Sequence, residues 1–208
     1  MHLYQYTNSK QLFFIRKGNT MSGFIITLLV LAAIVAIIVL WFVGSFNSLV
    51  NGKALVDEGW SGVDVQLKRR YDLIPNLVAV VKQYASHEKG VFEEVARLRS
   101  VSMNATDVAQ KAEAEKGLTQ ALKTLFAVAE NYPELKANQN FLSLQKELSA
   151  IEHEIQLARR YYNGAARNYN IQVQSFPSRI VAGLGGFKPV SYFELNSAAE
   201  RENPKVQF

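Results

Sequence analysis

The hydrophobic pattern divides the chain into two unlike parts. No charged residue occurs from Gly18 to Gly52, and within that window Gly23–Val43 reads GFIITLLVLAAIVAIIVLWFV. Only Gly23 and Thr27 interrupt the apolar run. At about 1.5 Å per residue this stretch makes roughly 30 Å of helix, enough to cross a hydrocarbon core. Trp41 and Phe42 stand at its far end, where an aromatic belt lies. A cleaved signal peptide has a shorter apolar region and a small-residue cleavage site, and no A-x-A follows at Gly44–Gly52. The pattern therefore predicts a retained single span.

Beyond the span the period is helical. Trp60, Val63, Leu67, Ile74, Leu77, Val81 and Tyr84 follow spacings of three and four, interrupted where Arg70 falls on the seam beside Tyr71. This predicts a long helix from Lys53 to Ala85, which Pro75 should kink or divide by removing a backbone donor. Ser86 is a cap for a helix over His87–Ser100, and Thr106 caps one that runs to Glu130 with Leu118, Leu122, Leu125 and Ala129 inward. Asn131-Tyr132-Pro133-Glu134 is a break and restart. Phe141, Leu144, Leu148, Ile151, Ile155, Ala158, Tyr162, Ala165 and Tyr169 then form a sustained seam. From Ser175, clustered glycines and prolines with Phe176, Leu184, Phe187, Tyr192 and Phe193 between them predict an irregular tail with apolar handles for the bundle or the membrane surface.

The expected fold is all-α: a single N-terminal transmembrane helix, an antiparallel bundle of about four long helices, and an irregular C-terminal tail. The boundaries are 1–20 for a basic N-terminal tail, 21–46 for the transmembrane helix, 47–175 for the bundle and 176–208 for the tail. An intermolecular coiled coil is the alternative use of the seams, and self-association through residues 141–169 is compatible with either.

Composition narrows the chemistry. The 208 residues are 49% hydrophobic and 20% charged, outside the disordered range. Cysteine is absent, which removes disulfides, thiolate metal sites, thiol catalysis and a lipid-acylated cysteine. Of the net charge of +5, Lys10, Arg16 and Lys17 contribute three with no acid in residues 1–20. The nearly balanced remainder argues against a nucleic-acid partner. By the positive-inside rule the basic segment favours a cytosolic N terminus and a bundle outside the cytosol. Residues 1–20 are unlike the rest, and Met21-Ser22 is an alternative start that would weaken the charge argument.

Tests for reactive motifs fail. His87 and His153 are each followed by Glu, but neither completes H-E-x-x-H, and Tyr84 and Ala150 stand where a di-iron bundle needs Glu. Gly183-Leu184-Gly185-Gly186 lacks the Lys-Ser/Thr of a phosphate loop, and no G-x-S-x-G occurs. Glu93-Glu94 and Glu152/Glu154 are carboxylate pairs of the kind any charged helix face supplies, and Lys68-Arg69-Arg70 lacks aromatic interleaving. No catalytic residue, cofactor or metal is expected.

Two polar constellations remain. Arg69, Asp72 and Asn76 share one helix face, while Arg70 points toward the seam and needs a carboxylate from Asp72, Glu88 or a facing helix. Asn163, Arg167 and Asn170 form a polar stripe beside Tyr162, Ala165 and Tyr169. Both read first as buried networks that fix register, second as a partner or ligand contact.

These two blocks, with Glu88, Glu130-Asn131-Tyr132-Pro133-Glu134-Leu135, Phe176-Pro177-Ser178 and the closing Asn203-Pro204-Lys205-Val206-Gln207-Phe208, resemble the LemA family of bacterial membrane-anchored proteins. The resemblance covers about residues 45–208; Tyr71 departs from the small residue of that pattern, and residues 1–20 match nothing in it, which favours Met21 as the start. It implies one membrane helix and a helical bundle, no established enzymatic activity and no catalytic residues. Lipoprotein-like members place their bundle outside the cytosol, and a magnetosome-associated branch suggests roles in organising membrane-bound assemblies. The function expected is a non-enzymatic membrane-anchored interaction or scaffold module with an unidentified protein partner. A small-molecule or lipid-binding bundle, with an unfilled pocket lined by seam residues, is the first alternative. A hydrolase with perturbed acids converging in a cleft is the second.

Overall fold

The computed structural model describes the backbone of residues 2–194 and the side chains of residues 23–194. It is helical, with no strand among the described residues. Among the described residues six helices follow in order: α1 (His2–Tyr84), α2 (Lys89–Asn104), α3 (Val108–Ala129), α4 (Pro133–Lys136), α5 (Gln139–Gln174) and α6 (Ser178–Gly185). The chain forms two compact units, Met1–Ser48 and Leu49–Phe208, and α1 contributes to both.

In the first unit the apolar residues of the span are exposed on every side, as on a helix whose solvent is lipid. Thr27 satisfies its hydroxyl within the helix, donating to the Gly23 carbonyl at 2.9 Å. Among the described residues this is the one helix long and apolar enough to cross a membrane.

The second unit is an up-and-down bundle. Val63, Leu67, Ile74, Leu77 and Val81 of α1 are fully buried, as are Leu118 and Leu125 of α3 and Ile151, Ile155, Tyr162 and Tyr169 of α5. Asn138 Nδ2 donates to the Tyr84 hydroxyl at 3.0 Å, which joins the start of α5 to the end of α1. At the other end α1 and α5 approach through glycines. A Cβ at Gly59 would stand 3.0 Å from Tyr162 Cα, and one at Gly52 would stand 3.3 Å from the Tyr169 ring. The two contacts are seven residues apart on both helices, so α5 returns along α1 in constant antiparallel register.

Local chemistry sets the helix ends. Asp107, one residue past the expected Thr106, caps α3 by accepting from the Gln110 amide at 2.9 Å. Asn138 caps α5 by accepting from the amides of Asn140 and Phe141. Glu88, rather than Ser86, occupies the cap position of α2, without a side-chain cap bond.

Pro75 neither divides nor ends α1, which continues to Tyr84. The proline leaves the carbonyl of Tyr71, four residues earlier, without its helical donor. Arg99 Nε, reaching from α2, donates to that oxygen at 2.7 Å and supplies the missing partner.

The stretch from Ser175, expected to be irregular, contains α6 and then a segment, 187–194, without regular secondary structure. Gly186 closes α6 at φ +71°, a left-handed conformation suited to glycine, and the Phe187 amide returns to the Ala182 carbonyl at 3.0 Å. Val181, Ala182 and Phe193 of this stretch are fully buried.

Candidate functional site

The seam interruption on α1 is an ionic cluster. Arg70, 5% exposed, extends Nη1 to Glu115 Oε2 of α3 at 3.2 Å and to Glu152 Oε2 of α5 at 3.3 Å. Its Nη2 donates to Thr119 Oγ1 at 3.0 Å. The neighbouring Tyr71 donates its hydroxyl to the second oxygen of Glu115. One guanidinium thus ties α1 to both α3 and α5, with each side of the buried carboxylate occupied. A related pair lies nearby: Lys111 Nζ of α3 meets Asp64 of α1 at 2.7 Å and sits 5.9 Å over the Trp60 ring. Both pairings advance in the same direction on the two helices, so α3 runs parallel to α1.

Burial pushes the Glu115 carboxyl above its ordinary value near 4.5, and the Glu152 charge adds to that rise. Arg70, Tyr71 and Ser102 act in the opposite direction without cancelling it. Burial, helped by the adjacent Glu115 carboxylate, likewise pushes the Tyr71 hydroxyl well up.

The second constellation does something different. Asn170 on α5 donates Nδ2 to the Val190 carbonyl at 2.9 Å and accepts the Val190 amide on Oδ1 at 2.8 Å. Asn163 treats Phe193 the same way, at 3.1 and 2.9 Å. Each side-chain amide bonds both backbone groups of one residue, as a neighbouring peptide would, and the two amides, seven residues apart on α5, hold residues three apart in the returning segment. Tyr162 adds a hydroxyl bond to the Ser191 carbonyl at 2.7 Å. The Phe193 ring is seated between Trp60, at 5.9 Å, and the Arg159 guanidinium, at 5.3 Å.

The remaining sequence candidates lie outside both clusters. Arg69, Asp72, Asn76 and Arg167 are exposed; Arg69 donates to Gln66 at 3.1 Å. Glu88 is half-buried at the start of α2. Sequence reasoning missed Glu115 and Lys111, although a signal was present. Both interrupt the apolar spacing of α3 next to Ala112 and Leu118, as Arg70 interrupts that of α1.

Between α3 and α5 the bundle opens into a groove of about 1110 Å³. Arg70 and Glu152 are at its wall, together with Lys116, Lys123, Arg159, Arg160 and Glu113, so five basic side chains face two acidic ones. Leu122, Phe126 and Leu148 give it an apolar strip. Glu115 does not line it. No group of three or more His, Asp or Glu side chains able to hold a metal comes together among the described residues. The arrangement suits electrostatic and apolar contact with another molecule.

Comparison with known proteins agrees with this architecture. The family model for the LemA family matches residues 59–208. The magnetosome protein MamQ 2 of Paramagnetospirillum magneticum is 24% identical over 88% of this chain and 76% of its own. Protein LemA of Metamycoplasma hominis is 25% identical over 74% of this chain and 71% of its own. The chain belongs to the LemA family and carries, among the described residues, one helix long and apolar enough to cross a membrane.

Proposed function

We propose that this member of the LemA family is a non-enzymatic, membrane-anchored interaction module, whose bundle lies outside the cytosol and presents the α3/α5 groove to a protein partner with an acidic surface. The groove carries this reading: it is open, lined by an excess of basic side chains, and floored by a strip of apolar ones. The non-enzymatic part is supported by the condition of Glu115. This acid has a raised pKa but is enclosed by Arg70 and Tyr71 and does not line the groove. Relatives bearing the name of the magnetosome support a part in a larger assembly. The lipid-binding alternative calls for a pocket lined by seam residues. Most of the groove's lining residues are instead charged or polar, and most of the seam is buried.

A photo-crosslinking residue at Gln120 or Gln156, both in the groove, is expected to capture a discrete partner in cells, whereas one at exposed Gln174 is not. Reversing Lys116, Lys123 and Arg160 to Glu should abolish the adduct and leave the helical signal intact. An adduct indifferent to charge reversal, or one equally strong from Gln174, counts against the groove. An adduct of twice the chain mass identifies the partner as a second copy. Single cysteines at Asn104 and Met21, introduced into this cysteine-free chain, test orientation with a membrane-impermeant thiol reagent. Labelling at Asn104 and not at Met21 is expected; the reverse places the bundle in the cytosol.

A further inference from the structure

The chain from Ile171 to Phe193 contains two charged residues, Arg179 and Lys188, both basic, with no acid before Glu194. Within it, Phe176, Ile180 and Leu184 recur every fourth position and form one edge of α6 and its approach. The opposite edge, Val181 and Ala182, is spent on the bundle at 0% and 1% exposure. The outward edge is unusually bare: Phe176 is 84% and Leu184 75% exposed, more than Phe24, which at 73% is the most exposed large apolar residue of the span. A water-facing helix of this composition would leave that apolar area unprotected.

Position within the bundle identifies what covers it. Gly52 packs against Tyr169 and Gln172, so α5 ends level with the first residues of the bundle, Leu49–Gly52. Ser178 Oγ donates back to the Gln172 carbonyl at 2.6 Å, which holds the start of α6 at that same end. The chain before Leu49 is the apolar span, whose last residue, Val43, is a few residues away in sequence. Apolar side chains flanked only by basic ones match the acyl boundary below anionic headgroups. The edge is also small for a protein interface: three such side chains expose roughly 400 Å², about half of what one side of a stable complex buries.

We infer that the Phe176–Ile180–Leu184 edge of α6 is a second membrane contact, which lies in the headgroup layer of the bilayer that the span crosses, with Arg179 and Lys188 against anionic lipid. It is independent of the groove and stands or falls separately from it.

The chain has no native cysteine, so a spin label can be placed alone at Ile180 or Leu184, with Phe176 as a third position should either perturb folding. The full chain is reconstituted in vesicles of phosphatidylcholine mixed with phosphatidylglycerol. Collision with oxygen, which partitions into lipid, is compared with collision with a water-soluble nickel chelate. Oxygen collisions should exceed nickel collisions at 180 and 184, and the order should invert at Glu134, an exposed residue of α4 in the connection beside the far end of α1. Converting Arg179 and Lys188 to Glu should shift positions 180 and 184 toward nickel. Nickel access at 184 in the unaltered chain overturns the inference. Shielding from both reagents overturns it too, by showing that protein, a second copy or a partner, covers the edge.

Discussion

Arg70 on α1 and Asn170 on α5 are both polar side chains set into an apolar seam, and they are buried almost equally, at 5% and 6% exposure. Their partners differ. Arg70 is satisfied by other side chains, two carboxylates and a hydroxyl from α3 and α5. Asn170 is satisfied by the backbone of a returning segment, through one carbonyl and one amide of the same residue. Removing the arginine strands a charge in a low-dielectric interior. Removing the asparagine releases two neutral peptide groups that can turn to water. Equal burial therefore carries unequal energetic weight: the first site holds helices to one another, and the second holds a strap to a bundle already formed.

The largest expected effect breaks the ionic site. Arg70→Ala should lower the unfolding free energy by about 3–5 kcal/mol, measured by urea denaturation of the full chain in detergent, because Glu115 is left buried without its countercharge. An unchanged transition would mean that the carboxylate finds water or that the cluster is not closed. The next effect is smaller and local. Asn170→Ala should cost about 1–2 kcal/mol and expose Phe193 to solvent, read as increased proteolysis within residues 187–194 at unchanged helicity. An effect as large as that of Arg70→Ala would erase the distinction between the sites. Asp107→Ala removes the α3 cap and should cost about 1 kcal/mol without altering either site, which makes it a control for general loosening.

The smallest effect is a slope. Because the Glu115 carboxyl titrates above its ordinary value near 4.5 in the folded state, the folded chain holds that proton more tightly than the unfolded chain does. This contribution is fully present below about 4.5 and is lost as pH rises through the raised folded value. Glu115→Gln should flatten that part of the stability profile; a wild-type profile that rises over the same window would reverse the sign assigned to burial.

Much of this was legible in the sequence for a physical reason. The span requires no partner to be recognised, since length and apolarity alone mark it as a candidate to cross a membrane. The α5 seam holds its spacing over nine residues, and Arg70 announces itself by interrupting an otherwise apolar row. Its partners were harder. Asp72 and Glu88 were nearer in sequence, but Asp72 faces solvent and Glu88 begins α2, while the acids that meet Arg70 come from α3 and α5. Glu115 gave the same signal as Arg70, a charged residue on an apolar seam, and pairing these two opposite charges would have found it. The use of Asn163 and Asn170 was not legible, because an amide matched to a passing backbone depends on which segment passes. Pro75 misled for a similar reason: a sequence shows the donor that proline removes, not the Arg99 that arrives from another helix to replace it. The glycines and prolines clustered around α6 obscured a helix of only 8 residues.

The most direct test of the separation between the two sites is hydrogen exchange of the full chain with and without Asn170→Ala. The amides of Val190 and Phe193 are expected to lose protection while those of Leu67, Ile74, Ile151 and Ile155 keep it. Equal loss of protection across α1 and α5 would instead make the returning segment part of what holds the bundle together.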